Sequence, residues 1–299
     1  MIINEHSHLD DALTREVFSL IQIAQAVDLQ SPLSEHVLLH LKHGGDLRAR
    51  HLIGVEDEQI IGYVHLDLTD EVSGPSVQVI VHPAFRNLGY GKQLLQRALT
   101  VAGNSLRLWS HGENAMARKL AESVGMKEVR TLLQMRRSLL SAIEPPVFPP
   151  SYVVSTFNRE TDERNWLEAN REIFAQHPEQ GIWKARDFEI RMQEEWFNPE
   201  GFFIIKCDNE IVGFSWTKVH SHSHGHDHVP LGEIYVLGVS PSHRGKGLAK
   251  ALTLHSLTYL RSLGLLEAML YVNKLDAAAL SLYESCGFRN WDVDTLYSF

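Results

Sequence analysis

The sequence predicts two α/β (α+β) domains in tandem, each a mixed central sheet flanked by helices. Three observations support this prediction. A proline-rich segment lies near the middle of the chain, the two halves repeat one strand–turn–helix pattern, and strand-like stretches alternate with helix-like ones. Such alternation is typical of α/β units, and a repeated pattern on both sides of a linker indicates a duplicated domain.

The proline-rich segment at 141–151 contains four prolines in eleven residues. Proline has no backbone N–H and cannot occupy a helix interior or a central strand, so this segment is predicted to be a semi-rigid linker. We therefore predict an N-terminal domain at 1–140, a linker at 141–151 and a C-terminal domain at 152–299.

The repeat consists of an apolar strand, a glycine-containing turn and an amphipathic helix. In the first half, 77–81 is followed by the turn at 86–91, and in the second half 233–239 is followed by the turn at 244–249. The turns match at an offset of 158 residues, and a later helical segment matches at an offset of 162 residues. Two matches with nearly the same offset indicate a duplication.

Composition limits the class of protein. The 299 residues include 44% hydrophobic and 22% charged residues and carry a net charge of −9, so the chain is globular and poorly suited to neutralising nucleic-acid phosphates. Cys207 and Cys286 are its only cysteines, which favours a reducing compartment over a disulfide framework. The polar N-terminus is unlike a signal peptide, and no apolar run is long enough for a membrane helix. We expect a cytoplasmic, monomeric protein.

The turn has the form R-x-x-G-x-G/A between a strand and a helix. Glycines let the backbone turn tightly near a ligand, and the N–H groups at a helix start suit a pyrophosphate. One such turn is weak evidence, because it is often only a tight turn; two copies in the same context favour ligand binding. The pattern resembles the acetyl-CoA pyrophosphate loop of the GNAT superfamily of acyltransferases.

This resemblance implies acetyl-CoA as acetyl donor and a binding site in each half. In the C-terminal half the implied contacts are Leu237, Gly238, Val239, Arg244, Gly245, Lys246, Gly247, Leu248, Ala249, Lys250, Asp276, Ala277, Ala278, Ala279, Leu280 and Ser281. In the N-terminal half they are Val79, Ile80, Val81, Arg86, Asn87, Leu88, Gly89, Tyr90 and Gly91. A backbone N–H near Gly238 would donate to the thioester oxygen.

A narrower resemblance rests on the segments HPEQG at 177–181, WTKVH at 216–220, GEIYVLGV at 232–239 and VDTLY at 293–297. Together they resemble the mycothiol synthase (mycothiol acetyltransferase) family, tandem GNAT enzymes that acetylate the cysteinyl amine of Cys-GlcN-Ins. The resemblance implies this small molecule as the acceptor, no metal requirement, and acceptor contacts at Glu35, Glu179, Lys218, Glu233 and Tyr271. Each could equally be an ordinary surface residue.

Acetyl transfer to an amine needs a neutral nucleophile, and an α-amino group with a pKa of about 7.7–8.0 is mostly protonated at pH 7. A carboxylate base is therefore useful. Glu233 opens the strand before the turn, and the resemblance implies that it is this base. The resemblance also implies that Tyr283 is the acid assisting the departing thiolate. The residues alone leave open a solvated strand-end carboxylate and a core tyrosine.

The duplication predicts that only the C-terminal domain catalyses. Counting back eleven residues from Arg244 gives Glu233, whereas the same count from Arg86 gives Pro75. The helical match places Tyr283 opposite Ala121. The N-terminal domain keeps its turn, so we expect it to bind acetyl-CoA without reacting.

A histidine-dense loop at 220–228 departs from the family pattern. Such loops can bind Zn²⁺ or Ni²⁺, although no carboxylate or cysteine framework surrounds this one and a solvated hairpin loop is favoured. A modulating effect on the nearby Glu233 stays open. Two alternatives to the mycothiol enzyme also remain: a GNAT enzyme for another small or protein amine, and a non-catalytic acetyl-CoA sensor. The presence of Glu233 and Tyr283 together disfavours the sensor.

Overall fold

A computed structural model describes residues 1–44, 48–68, 74–103, 106–112, 114–175, 180–220 and 230–299. The described residues form two compact units. The first comprises 1–132 together with 292–299, and the second lies between 133 and 291.

Up to the middle of the chain the structure alternates strands and helices as the sequence predicts. The elements are β1 (Ile2–His6), α1 (Asp11–Asp28), α2 (Glu35–His43), β2 (Arg50–Glu56), β3 (Gln59–Asp67), β4 (Ser76–Val81), α3 (Tyr90–Ala102), β5 (Arg107–His111), α4 (Ala115–Ser123) and β6 (Lys127–Ser138).

The second half repeats the same order. Its elements are β7 (Val153–Thr156), α5 (Arg159–Ile173), α6 (Ala185–Met192), β8 (Phe202–Cys207), β9 (Glu210–His220), β10 (Leu231–Val239), α7 (Leu248–Ser262), β11 (Glu267–Asn273), α8 (Ala277–Ser285) and β12 (Arg289–Ser298).

Each unit contains a mixed sheet with the same arrangement. In the first unit the order is β1-β2-β3-β4-β5-β12, antiparallel except for the parallel pair β4–β5. In the second unit the order is β7-β8-β9-β10-β11-β6, again with antiparallel pairs up to a parallel pair, β10–β11. A mixed sheet flanked by helices confirms the predicted fold class.

The last strand of each unit comes from the other half of the chain. β12 pairs with β5 through Asp294 and Tyr297, and β6 is the neighbour of β11. The compact units therefore differ from the domain boundaries predicted at the proline-rich linker in two segments, 133–140 and 292–299. Sequence position did not reveal the exchange, because an apolar strand pattern does not say which sheet edge the strand joins. Assigning functional domains to 1–140 and 152–299 stays a prediction.

The two cores differ in composition. Behind β3 and β4 the first unit packs mainly aliphatic side chains, including Leu94, Leu95 and Ala98 of α3. The second unit packs Trp166 of α5 against Phe188 and Trp216, with Trp216 stacked on Phe202. These aromatic side chains bury large areas and fix the position of β9, which carries part of the candidate site.

No helix among the described residues is both long enough and apolar enough to cross a membrane.

Candidate active site

The parallel strands β10 and β11 separate soon after they meet. Within the described residues, they pair only at Gly232 with Ala268 and at Glu233 with Met269, although β10 continues to Val239. Beyond Glu233 the edge of β10 that faces β11 leaves the ladder, so its backbone groups are available to a ligand lying between the strands. Glu233 is the last paired residue before this opening.

A β-bulge lies immediately after Glu233. The register of β10 with β9 shifts between Ile234 and Val236, so Tyr235 is an extra residue on β10. Bulges bend a strand and redirect its side chains, and they are common next to active sites. The bulge thus separates the strand end carrying Glu233 from the segment 237–239 that leads to the turn.

Glu233 is buried and paired. Its side chain is 8% exposed, and its Oε2 atom lies 2.8 Å from Nε2 of His220, the last residue of β9. Because an ionised carboxylate can only accept, the imidazole donates this hydrogen bond. Lys218 lies directly opposite Glu233 in the β9–β10 register. A buried carboxylate without such partners would be costly, so the hydrogen bond from His220 and the nearby Lys218 favour its charged form.

The net effect on the acidity of Glu233 follows from opposing causes. Burial is the largest single influence and raises the pKa of Glu233, but the hydrogen bond and charge of His220, together with the charge of Lys218, outweigh it. The pKa of Glu233 is therefore below its ordinary value, and the carboxylate is ionised at neutral pH.

Aromatic rings surround the ammonium group of Lys218. Its Nζ atom lies 4.7 Å from the ring centroid of Trp196 and 5.6 Å from that of Tyr235. Arg191 of α6 donates a 2.7 Å hydrogen bond from Nε to the Tyr235 hydroxyl, and its guanidinium lies 4.0 Å from the Trp183 ring. Cation–π contacts of this kind hold a cation in a sheltered site while leaving its charge in place.

The predicted turn lies at the start of α7. Gly245 and Gly247 have φ values of +75° and +79°, which side-chain-bearing residues rarely adopt. Gly247 caps the helix without a side-chain hydrogen bond, and a Cβ atom added there would meet nothing within 4 Å. The start of α7 therefore has no side-chain cap and has open space beside Gly247, at the positive end of the helix dipole, which suits a phosphate.

Three cations lie at or near this turn. Arg244 directs its Nε atom to the carbonyl of Val239 at 3.4 Å, Lys246 lies 5.8 Å from the Tyr152 ring, and Lys250 pairs with Glu144 at 2.8 Å. The charges of Arg244 and Lys246 add to the helix dipole, whereas that of Lys250 is offset by Glu144. The turn thus combines open backbone donors with positive side chains, the requirements of a pyrophosphate site.

Gly238 has a separate reason to be glycine. A Cβ atom at Gly238 would lie 2.6 Å from Ile173 and 3.0 Å from Phe174, so any side chain would collide with the end of α5. This close approach of α5 allows only glycine at this position of β10.

Tyr283 lies on α8, which begins after Asp276. The Asp276 carboxylate caps the helix by accepting a 2.9 Å hydrogen bond from the Ala279 N–H. Tyr283 is 9% exposed and makes an edge contact with Phe288. Burial raises the pKa of Tyr283 well above its ordinary value, and the charges of Asp276 and Cys286 raise it further. Its hydroxyl is therefore protonated at neutral pH.

The comparisons with known proteins are consistent with this geometry. The acetyltransferase (GNAT) family matches the chain twice, over residues 17–126 and 164–288. A mycothiol acetyltransferase of Acidothermus cellulolyticus is 45% identical over 99% of this chain and 94% of its own length. One from Streptosporangium roseum is 40% identical over 99% of this chain and 98% of its own.

The chain belongs to the mycothiol acetyltransferase family, within the GNAT acetyltransferases. This confirms both resemblances drawn from the sequence and the prediction of an acyltransferase.

Solved structures confirm the tandem fold. A GCN5-related N-acetyltransferase from Sphaerobacter thermophilus has a TM-score of 0.71 at 23% identity, covering 99% of this chain and 95% of that one. A tandem GNAT protein from the clavulanic acid biosynthesis pathway has a TM-score of 0.74 at 15% identity, covering 100% and 98%. At such identities the likeness concerns the fold alone.

The first unit of this mycothiol acetyltransferase family member repeats the turn but changes its surroundings. Asn87 and Gly89 have φ values of +62° and +84°, and Arg86 donates from Nε to the Val81 carbonyl at 3.1 Å. The Arg86 guanidinium also forms two hydrogen bonds, of 2.6 and 2.7 Å, to Asp28 at the end of α1. The Arg86 guanidinium of this turn is thus already paired with the Asp28 carboxylate.

The predicted acceptor residues fall into three groups. Glu233 and Lys218 face each other across β9 and β10, and Tyr271 lies half-exposed on β11 in the same unit. Glu35 is the first residue of α2 in the other unit, where Ser34 caps the helix. Glu179 lies outside the described residues, as does the histidine-dense loop beyond His220.

Sequence reasoning missed the residues that hold these groups in place. His220 entered only within the WTKVH segment and as the start of a histidine-dense loop, although its alternation along β9 puts it on the same face as Lys218 and diagonal to Glu233. The surroundings of Lys218 were also missed, because Trp196, Tyr235 and Arg191 are distant in sequence and show no shared motif. Among the described residues, no cluster of three or more His, Cys, Asp or Glu side chains has the geometry of a metal site.

Proposed function

We propose that the second unit transfers the acetyl group of acetyl-CoA to the cysteinyl amine of Cys-GlcN-Ins, producing mycothiol. Mycothiol is proposed as the product because the relatives from Acidothermus cellulolyticus and Streptosporangium roseum are named mycothiol acetyltransferases. The observation that supports the site most directly is the buried Glu233–His220 pair, located where β10 leaves β11 and eleven residues before Arg244.

In this proposal the turn at 244–249 binds the donor. The open N–H groups at the start of α7 and the nearby cations hold the pyrophosphate, and the pantetheine arm lies along the freed edge of β10. A backbone N–H of the 237–239 segment donates to the thioester oxygen and stabilises the oxyanion that forms on attack. The residues 276–281 line the other side of the donor site.

Glu233 removes the proton from the attacking nitrogen. The neutral fraction of an amine with a pKa of about 8 is roughly a tenth at pH 7, so attack by the free amine costs only about 1.4 kcal/mol. Once the N–C bond forms, the nitrogen is a much stronger acid, and a carboxylate kept ionised by His220 and Lys218 can accept its proton.

Tyr283 assists the departing sulfur as a hydrogen-bond donor. A CoA thiol with an ordinary pKa near 8.5 is a stronger acid than a tyrosine of pKa near 10, so full proton transfer to the thiolate is uphill by roughly 2 kcal/mol before burial is considered. Burial of Tyr283 widens this gap. The hydroxyl therefore stabilises the thiolate without surrendering its proton completely.

The acceptor would contact Lys218 and Tyr271. Glu35 and Glu179 are further contacts that only the sequence-based resemblance proposes. A sugar–inositol ligand has many hydroxyls, which suit charged and polar anchors. We further propose that the enzyme works without a metal, as a cytoplasmic monomer, and that the first unit binds acetyl-CoA without reacting.

The test uses the purified full chain with acetyl-CoA and Cys-GlcN-Ins, GlcN-Ins, cysteine or a peptide amine. Mass spectrometry should detect an acetyl group on the nitrogen of Cys-GlcN-Ins, with a kcat/KM at least tenfold above the other amines. Glu233→Gln is the matched control for enzymatic transfer. Faster acetylation of any other amine would reject the acceptor, and binding of acetyl-CoA without transfer would make the protein a sensor.

A further inference from the structure

Two consecutive hydrogen bonds link the partly buried Arg136 through Gln134 to the proposed acceptor residue Tyr271. Arg136 of β6 donates from Nε to Oε1 of Gln134 at 3.1 Å, and Gln134 donates from Nε2 to the Tyr271 hydroxyl oxygen at 2.8 Å. Gln134 is 8% exposed, whereas Tyr271 is 40% exposed. A buried amide thus supports a surface hydroxyl.

Arg136 is itself held from two sides. Its guanidinium lies 4.4 Å from the ring centroid of Trp291, and its Nη1 atom lies 3.9 Å from Glu267 on β11. A guanidinium between a ring and a carboxylate has little freedom to turn, so the direction of its Nε–H is set before any ligand arrives.

The chemistry of these groups fixes the direction of each hydrogen bond. Arginine can only donate, so the Gln134 atom that faces it must be the oxygen. The amide nitrogen then faces Tyr271, whose oxygen accepts. The hydroxyl hydrogen of Tyr271 is consequently directed to an acceptor other than Gln134. If the amide turned over, its oxygen would face Tyr271 and would capture that hydrogen.

We infer that Gln134 and Arg136 are positioning residues that make Tyr271 a hydrogen-bond donor toward an oxygen of the polyhydroxyl part of the acceptor. This inference rests on the proposed function for the identity of the acceptor. The direction of the hydrogen bond between Gln134 and Tyr271 follows from Arg136 and Gln134 and does not depend on that function. The arrangement selects an acceptor that bears an oxygen at this position over one that ends at the cysteinyl group.

The decisive variant is Gln134→Glu, which keeps the shape and the bond from Arg136 but replaces the donor that faces Tyr271 by an acceptor. It should raise KM for Cys-GlcN-Ins about fivefold, the scale of one net hydrogen bond, with KM for acetyl-CoA and for cysteine amide unchanged. Tyr271→Phe should give a similar rise. The double variant should be no worse than Tyr271→Phe, because Gln134 acts through the hydroxyl.

Additive effects in the double variant, an equal rise in KM for cysteine amide, or an unchanged KM in Gln134→Glu would each overturn the inference. NMR of the Gln134 side-chain amide supplies a readout that needs no turnover: Tyr271→Phe should shift this resonance, and Tyr259→Phe should not. If the wild-type enzyme ignores Cys-GlcN-Ins, the proposed function fails, and the NMR comparison alone decides whether Gln134 orients Tyr271. A resonance unmoved by Tyr271→Phe refutes that orientation.

Discussion

The two units share a sheet order, separated parallel strands and a glycine turn. They differ at the positions of the residues proposed to take part in the reaction. In both, the parallel pair holds for two residues and then ends. The register of β10 with β9 is shifted by a bulge, whereas the register of β4 with β3 runs without a shift from Asp67 to Gly62. The shared fold therefore supports the proposed donor site in each unit, and the differences support the proposal that the second unit carries the reaction.

The bulge also corrects the residue count between the copies. Val81 pairs with Gly62 as Val239 pairs with Gly213, but the extra residue Tyr235 moves the partner of Glu233 by one position. In register, Glu233 corresponds to Ser76 and not to Pro75, which the count of eleven residues predicted. The first unit still has no counterpart of the Glu233 carboxylate, because Ser76, like Pro75, has no carboxylate.

The two units also differ at the position of the proposed acid and in the charge of the turn, and in both cases the first unit lacks the functional group. Tyr283 and Ala121 are each the seventh residue of a nine-residue helix, α8 and α4. Lys246 is replaced by the exposed Leu88, and Arg86 is neutralised by Asp28. The first unit thus lacks counterparts of the proposed base and the proposed acid and has less positive charge at the turn, while keeping the backbone turn. A duplicated fold can retain a ligand site after it loses the groups that react.

The largest effect is expected from removing the base. Glu233→Gln should lower kcat by about 100-fold or more, the usual scale for a lost general base, because the nitrogen proton released after the N–C bond forms loses its acceptor. The loss should be greatest at neutral pH and smaller in alkali, where hydroxide can accept that proton. A pH–rate profile of both proteins measures this. Ser76→Ala, at the corresponding position of the first unit, is the matched control and should leave kcat unchanged. A deficit that is constant across pH would make Glu233 an acceptor anchor.

Tyr283→Phe should lower kcat by about 10- to 100-fold, because one hydrogen bond to a developing thiolate is lost. The dissociation constant for acetyl-CoA should stay the same, since the hydroxyl acts only when the sulfur departs. Calorimetry and steady-state rates separate the two quantities. Tyr259→Phe, on the neighbouring helix α7, serves as control. Wild-type turnover in Tyr283→Phe would leave this tyrosine a packing residue.

His220→Gln tests what keeps Glu233 ionised. Burial raises the pKa of Glu233, and His220 is among the groups that hold it below its ordinary value, so loss of His220 should raise it. A carboxylate base is active above its pKa; the acidic limb of kcat/KM should therefore move to higher pH. The rate should fall several-fold below neutral pH and recover in alkali. An unmoved limb would show that His220 does not control the base.

Much of this organisation could be predicted from the sequence, because it depends on local pattern. The glycine turns, the strands before them and the position of Glu233 follow from motifs within about twenty residues. The exchange of β6 and β12 between the two sheets could not be predicted from the sequence, since strands of similar composition fit either sheet edge. The His220–Glu233 and Gln134–Tyr271 contacts could not be predicted either. Each depends on which side chains the strand register brings together, and that register cannot be determined from a single sequence.

The smallest effect on turnover is expected from emptying the first unit. Gly89→Val places a β-branched residue at a φ of +84°, which should distort the turn and abolish acetyl-CoA binding there. Gly91→Ala is the control, because the second unit has Ala249 at this position and a Cβ atom at Gly91 would meet its neighbours at an ordinary 3.5 Å. Calorimetry should give one bound acetyl-CoA for Gly89→Val and two for Gly91→Ala, with kcat nearly equal.

Gly247→Val completes the comparison at the second turn, where φ is +79°. The same distortion should now abolish turnover while one acetyl-CoA still binds, to the first unit. Circular dichroism confirms that each variant folds. If Gly89→Val loses activity although it folds and its second site fills, the first unit takes part in the reaction, and the division of binding and chemistry between the copies is wrong. Equal loss of activity from both substitutions would lead to the same conclusion, because only a site that reacts should depend on its own turn.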